Sequence, residues 1–220
     1  MAGWPPSLPA RQRQGSRWVP DGGRVITGTA GGLRLAAPGS ATRPLSDRVK
    51  QALFALLESE CPAAWQAPFL DLFAGTGAAG IEALSRDAPR AVLVERDRRA
   101  AAVIRINLER TGLAHRARLV VRDVAVFLAD GSAAVPEAPF GSAIVDPPYE
   151  RLEELLASLE RLAAPGAAWL RSGAVLVAKH FWKSELPHAV GELELLRRRR
   201  FGETALSVYR RRPESAAGGS

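Results

Sequence analysis

The stretch Phe69-Leu70-Asp71-Leu72-Phe73-Ala74-Gly75-Thr76-Gly77-Ala78-Ala79-Gly80 constrains this chain more than any other. A short apolar run that meets a glycine-rich turn and opens into small, helix-forming residues reads as strand, turn and helix. Glycine tolerates positive φ and lets a ligand approach the backbone closely, so such a turn is built to hold a nucleotide. The alternation then repeats. Val92-Leu93-Val94 reads as a second strand with a helix over 98–110 behind it, and Leu119-Val120-Val121 as a third. Residues 143–145 form a fourth strand ending at Asp146, a helix covers 152–162, and Val175-Leu176-Val177 is a fifth strand. Residues 193–201 and 204–209 make an antiparallel pair around Gly202-Glu203. Repeated strand–helix units predict an α/β protein: a seven-stranded, mostly parallel sheet with a C-terminal antiparallel strand and helices on both faces. Ligands bind such sheets at the carboxyl ends of the strands.

Ahead of this core, Arg24-Val25-Ile26 and Leu33-Arg34-Leu35 flank a glycine-rich stretch and predict a hairpin. Ser46 is placed to cap a helix through Val49, Leu53, Phe54 and Leu57. The expected division is a flexible arm over 1–23, a hairpin–helix extension over 24–62, the sheet domain over 63–212 and a frayed tail over 213–220. With 47% hydrophobic and 24% charged residues in 220, the chain has the material for a core and is not a disordered sequence. No apolar run is long enough to cross a bilayer, and the N-terminus lacks a basic cluster followed by an apolar core. A single cysteine, Cys61, makes neither an internal disulfide nor a multi-thiolate zinc site, so a reducing cytoplasm is expected. His115, His180 and His188 show no metal-ligand spacing, and no metal is expected.

The net charge of +7 is unevenly spread. Residues 1–50 hold eight Lys/Arg against two Asp/Glu, residues 51–150 ten against thirteen, and residues 151–220 twelve against eight. Positive flanks around a mildly acidic middle attract polyanions. Arg197-Arg198-Arg199-Arg200 lie within one expected strand, so at most two share a face, and the run reads as a solvated strand edge.

Which nucleotide the turn takes is narrowed by its acidic neighbours. Glu95 ends the second strand 20 residues after Gly75, where a carboxylate accepts ribose hydroxyls. That spacing alone suits a dinucleotide. Asp71, just inside the strand, disfavours a doubly negative pyrophosphate and favours a ligand carrying an ammonium and a sulfonium. Asp123, after the third strand, is placed either to accept from an adenine amino group or to cap a short helix beginning at Val124, and the two roles are compatible.

Asp146-Pro147-Pro148-Tyr149 is the sharpest motif. Two prolines fix two φ angles and remove two backbone donors. The result is an acceptor-rich edge of carboxylate and prolyl carbonyls beside an aromatic ring, suited to a planar amino group on a base stacked on Tyr149. Hydrogen bonds accepted from an exocyclic amine turn its lone pair toward an electrophilic methyl, and proximity does the rest. The base must leave its stack to reach such an edge.

At these residues the chain resembles the class I S-adenosylmethionine-dependent methyltransferases of amino groups, and more narrowly the RsmD family, which methylates N2 of a guanine in 16S ribosomal RNA. The likeness covers about Arg24 to Arg210. It rests on Arg24-Val25-Ile26-Thr27-Gly28, Arg43-Pro44-Leu45-Ser46-Asp47-Arg48-Val49-Lys50, Asp71 through Gly77, Glu95-Arg96-Asp97, Asn107, Asp146 through Tyr149 and Gly202-Glu203-Thr204. It departs in the less basic loop Thr29-Ala30-Gly31-Gly32-Leu33 and at Leu45. The resemblance implies a Rossmann-like fold, S-adenosyl-L-methionine held by Asp71, Phe73, Ala74, Gly75, Gly77, Glu95, Arg96, Asp123 and Val124, and guanine held by Asp146, Pro147, Pro148 and Tyr149. Arg24, Arg34, Arg43, Arg48 and Lys50 are the expected phosphate contacts for 16S RNA or an assembling small subunit, with the protein acting as a monomer. Arg11, Arg13 and Arg17 in the arm are a further basic element. The readings that compete are an adenine-N6 methyltransferase, an idle nucleic-acid-binding module and an NAD-dependent oxidoreductase, the last without an obvious catalytic base.

Overall fold

The computed structural model describes residues 21–37 and 45–213. The arm up to residue 20, the tail beyond 213 and Arg43 with its neighbours 38–44 lie outside the described residues.

An eight-stranded sheet organises the molecule. Its strands are β3 (Phe69–Leu72), β4 (Ala91–Glu95), β5 (Ala117–Val121), β6 (Phe140–Val145), β7 (Leu170–Phe181), β8 (Ala189–Val190), β9 (Leu193–Phe201) and β10 (Thr204–Arg211). They run in the order β5-β4-β3-β6-β7-β10-β9-β8. The five strands from β5 to β7 are mutually parallel, whereas β10 is antiparallel to both β7 and β9. These are the seven expected strands plus the two-residue β8 at the edge, a segment too short for an alternation to announce it. The fifth strand is also much longer than its Val175–Val177 centre, because β7 pairs with β6 and with β10 along most of its twelve residues. Strands β3 and β6, buried at every position, occupy the centre. The chain runs outward from β3 through β4 to β5, then returns to place β6 on the other side of β3. The carboxyl ends of β3 and β6 therefore flank the point where winding reverses, the position at which such sheets bind ligands.

Helices α1 (Asp47–Glu60), α2 (Ala78–Ser85), α3 (Arg98–Thr111), α4 (Val124–Ala129) and α5 (Leu152–Ala163) cover the two faces. Three of them start where cap chemistry dictates: Ser46 caps α1 through the Val49 N–H, Asp97 caps α3 through Ala100, and Asp123 caps α4 through Ala125. Helix α2 differs. All eight of its residues are buried, so both its polar side chains, Glu82 and Ser85, require internal partners.

The hairpin and α1 supply them. Strands β1 (Asp21–Arg24) and β2 (Arg34–Ala36) pair antiparallel, and β1 ends before most of the expected Arg24–Ile26 strand. The reason is Glu82: its carboxylate accepts the N–H groups of Ile26 (2.7 Å) and Thr27 (3.1 Å), taking them out of the strand ladder. Ser85 accepts from the Ala30 N–H and donates to the Thr27 carbonyl. Gly28 sits so close to α2 that a Cβ would fall 1.7 Å from the Ser85 carbonyl oxygen. Val25, Leu35, Leu53 and Phe54 join Phe69, Ile81 and Ile144 in one continuous core. The extension is thus packed into the sheet domain.

Lys50 is corrected here. It lies fully buried, 3.8 Å from Glu82, and donates to the Arg24 carbonyl. Burial pulls its ammonium below the ordinary lysine range, with Glu82 opposing. An ammonium held inside the protein does not meet an RNA phosphate.

Replacing Glu82 with Ala leaves the Lys50 charge and two backbone donors without their acceptor. Urea denaturation should show a loss of about 3–5 kcal/mol. A loss under about 1 kcal/mol, the scale of an ordinary single hydrogen bond, would disprove the role given to Glu82.

Candidate active site

Several loop segments meet at the carboxyl ends of the parallel strands. After β3 the backbone takes three positive φ values, at Phe73 (63°), Gly75 (56°) and Gly77 (77°). For Phe73 this is a strained left-handed conformation, which costs about 1–3 kcal/mol and concentrates at functional turns. The turn is closed by bonds from the Ala74 N–H to the Val94 carbonyl and from the Gly77 N–H to the Ala74 carbonyl. Gly77 begins α2, and a Cβ there would press on Ile104 and Leu93 at 3.2 Å. Asn107, fully buried in α3, ties the turn to the extension: it donates to the Thr76 and Ala36 carbonyls and accepts from the Ala36 N–H.

The acidic side chains converge on this turn. Glu95 accepts the Gly75 N–H on one oxygen and the Asp97 N–H on the other, each at 2.8 Å. Both bonds orient the carboxylate and leave further lone pairs for a ligand. Asp71 is 2% exposed and accepts the Gly80 N–H at 2.8 Å. Its bond is therefore made to α2, and its bearing on the ligand is through charge. Burial pushes its carboxyl up to about 8, the Gly80 bond opposing and the Asp146 and Glu95 charges adding to the rise. Asp123 caps α4 with one oxygen, as the sequence allowed, while the other lies 3.4 Å from the exposed Arg96 guanidinium. Val124 is buried behind it. On this side a cavity of about 310 Å³ opens between Phe73, Asp123, Ala125 and Leu128 and the α5 residues Glu153 and Ala157.

Asp146 follows β6 directly beside the turn, its N–H bonded to the Leu72 carbonyl at 3.3 Å. Its side chain is 19% exposed and is in direct contact with the Lys179 ammonium. Burial raises the Asp146 carboxyl above the ordinary carboxylate range, and Lys179 opposes that rise. The Pro148 carbonyl is taken by the Arg151 N–H at 2.9 Å, so the ledge offers the Asp146 carboxylate and the Pro147 carbonyl. Tyr149 is pinned by its hydroxyl, 2.5 Å from Thr204 Oγ1 on β10, with the Lys179 ammonium 5.1 Å from its ring centroid.

Two contributors were not among the expected site residues. Thr204 carried no signal of contact with Tyr149, since the pairing spans 55 positions. Lys179 did carry one: it is one of three lysines among 27 arginines and stands near the carboxyl end of a strand. Among the phosphate contacts expected, Arg24, Arg34 and Arg48 are exposed, and Arg24 is ion-paired with Asp47 at 2.8 Å. His180 is a locally bonded core histidine between the Phe181 carbonyl and Ser207. Among the described residues no His/Cys/Asp/Glu cluster is disposed to hold a metal, and no helix is long and apolar enough to cross a membrane.

The match that decides the family runs over residues 23–210, to the model described as Conserved hypothetical protein 95. The chain belongs to this family. A curated relative, the Ribosomal RNA small subunit methyltransferase D of Escherichia coli K12, is 36% identical over 191 residues, 86% of this chain and 89% of that protein. A solved structure of a hypothetical protein from Thermus thermophilus superposes with a TM-score of 0.69 at 36% identity, over 84% of this chain and 97% of that one. TrmN from Thermus thermophilus, at 20% identity and a TM-score of 0.58 over 74% of this chain and 48% of its own, shares the fold. The glycine turn, the Asp146 ledge and all of the hairpin except its first two residues lie within the span matched by the family.

Gly77 and Gly112 hold similar positive φ, 77° and 72°, but a Cβ on Gly112 meets open space. Gly112→Ala should cost about 1 kcal/mol for backbone conformation alone. Gly77→Ala should cost at least about 1 kcal/mol more, because Leu93 and Ile104 must also give way. Equal losses in chemical denaturation would show that the turn is not crowded.

Proposed function

We infer that the protein is an S-adenosylmethionine-dependent methyltransferase of ribosomal RNA, acting on the exocyclic N2 amino group of a guanine in the 16S molecule. The observation that carries this reading is the placement of the glycine turn and the Asp146-Pro147-Pro148-Tyr149 ledge on adjacent strands at the winding reversal. S-adenosylmethionine, when bound, supplies an electrophilic methyl group on a sulfonium. Phe73, Ala74, Gly75 and Gly77 provide the close-approach turn, Glu95 accepts the ribose hydroxyls, and Arg96, Asp123 and Val124 border the adenine. Glu95 and Asp146 make the turn electronegative, and Asp71 adds its charge once a cationic ligand draws off its proton, which suits a cation and repels a pyrophosphate.

The ledge then does the positioning. Asp146 and the Pro147 carbonyl accept the two N–H bonds of the guanine amino group and aim its lone pair toward the cofactor side of the cleft. Lys179 opposes the rise that burial imposes on the Asp146 carboxyl and occupies one of its oxygens, leaving the other for the base. Tyr149, fixed by Thr204, walls the base. Transfer proceeds by orientation more than by proton movement. Arg24, Arg34 and Arg48 on the hairpin and α1 are the phosphate contacts retained from the sequence reading, with base choice left to the pocket. The protein acts as a cytoplasmic monomer on free 16S RNA or on the assembling small subunit.

Tritiated methyl transfer into ribosomal RNA from cells lacking the protein, followed by nucleoside analysis, tests this directly. Labelled N2-methylguanosine is the expected product, and labelled N6-methyladenosine would establish the adenine alternative. Asp146→Ala should lower transfer by about 10²- to 10³-fold while leaving S-adenosylhomocysteine affinity within about threefold.

Lys179→Gln leaves the burial of Asp146 unopposed and raises its carboxyl further. The acidic limb of the kcat/KM profile should therefore move to higher pH, with activity recovered as pH rises. A limb that stays in place refutes the role of Lys179.

Asp71, with its carboxyl at about 8, is mostly protonated at neutral pH. A cationic ligand favours the charged form, so cofactor binding at neutral pH should release a proton. Calorimetry in buffers of different ionisation enthalpy should detect this, and Asp71→Asn should abolish it.

A further inference from the structure

We propose that the end of β7 and the arginine run of β9 form a second RNA-contact surface, which grips the phosphates of the nucleotides flanking the flipped base. The proposal rests on the ribosomal RNA reading above and assigns a surface that the hairpin does not include.

Three rings lead away from the ledge. Tyr149 lies 6.0 Å from Phe181, centroid to centroid, and Phe181 lies 6.2 Å from Trp182. At the far end of this path the cations gather. The Arg200 guanidinium stacks 3.5 Å from the centroid of Trp182, and the Lys183 ammonium lies 5.5 Å from the same ring. Arg198 donates to the carbonyls of Trp182 and Ser184, fixing its guanidinium beside them. Strand β9 is parallel to β7 because both are antiparallel to β10, so its arginines rise toward the same end of the sheet as Asp146.

Alternation splits the run in the way its sequence predicts, but the two faces are not equivalent. Arg197 is ion-paired with Glu60 of α1. Arg198, Arg200 and Lys183 are exposed. Among the described residues these three form no ion pair, their partners being carbonyls and an aromatic ring. Three cations gathered around Trp182, none of them ion-paired to a carboxylate, repel one another, and a polyanion relieves that repulsion. Phosphate is the favoured occupant over a base: the Trp182 ring is already engaged by Arg200, whereas the guanidinium edges present donors in the planar fork that matches phosphate oxygens. A strand whose base is inserted over Tyr149 therefore continues across Phe181 and Trp182 onto these side chains.

The test is salt titration of binding to a 16S RNA fragment, with Arg198→Gln/Arg200→Gln/Lys183→Gln set beside Arg90→Gln/Arg118→Gln. The latter pair lies at the opposite end of the sheet, at or just before the starts of β4 and β5. Each lost phosphate contact should reduce the slope of log affinity against log salt by about 0.7, so the triple variant should lose about 2. Its RNA affinity near physiological salt should fall about tenfold or more, with S-adenosylhomocysteine binding unchanged. The opposite-end pair should leave the slope within about 0.5 of wild type. Unchanged slope in the triple variant overturns the proposal. If that variant does not fold, Lys183→Gln alone carries the test, with a slope loss of about 0.7 expected and no loss counting against. A wild-type protein that binds no RNA overturns the function reading itself, an outcome distinct from wild-type binding that the triple variant leaves untouched.

Discussion

The buried carboxylate of Glu82 is the constraint on which the rest of the structure depends. Helix α2 carries the glycine turn on its N-terminus and is enclosed on all sides, so a charge at its middle demands internal donors. Those donors are two backbone N–H groups of the hairpin, the Lys50 ammonium of α1 and the Arg86 guanidinium. One side chain thereby sets where the hairpin strand ends, which lysine is withdrawn from the surface and how the extension seats against the sheet. Asn107 repeats the arrangement on a neighbouring helix, joining Ala36 to Thr76. The glycine turn and the hairpin are consequently parts of one hydrogen-bonded body.

Electrostatics at the strand ends follow from the same crowding. Asp71, Glu95 and Asp146 sit on three adjacent strands, β3, β4 and the end of β6, and the Asp146 and Glu95 charges raise the cost of ionising Asp71. The protein resolves this unequally. Glu95 is held by two backbone donors, Asp71 by one with burial dominating, and Asp146 by a lysine. Lys179 is thus the cation that offsets the acidic turn at the ledge. The same ammonium lies over Tyr149, so the charge that tunes the carboxylate also braces the ring.

Much of this was legible along the chain. Strand–helix alternation, the Ser46 and Asp123 caps, and the glycine turn are local, because each depends on residues a few positions apart. Glu95 and Asp146 were legible for the same reason, since a carboxylate at the end of an apolar strand faces the ligand end of a parallel sheet. Lys50 was misplaced because a lysine two residues from an arginine in a basic segment reads as surface, and only Glu82, 32 positions away in the chain, draws it inward. The short β8, the length of β7 and the early end of β1 depend on pairing partners that no local pattern names.

By itself, then, the sequence determined the kinds of element, their order and the chemistry available at their ends, because backbone propensity, capping and side-chain period are short-range. The tertiary structure alone decided which charges meet. It put Lys179 against Asp146, Thr204 against Tyr149 and Lys50 beside Glu82, and it separated Arg197, neutralised by Glu60, from Arg198 and Arg200, stacked or bonded around Trp182. Each pairing joins residues far apart in the chain, and the sign and burial of a partner govern whether a charge binds a ligand, tunes a neighbour or holds the fold together.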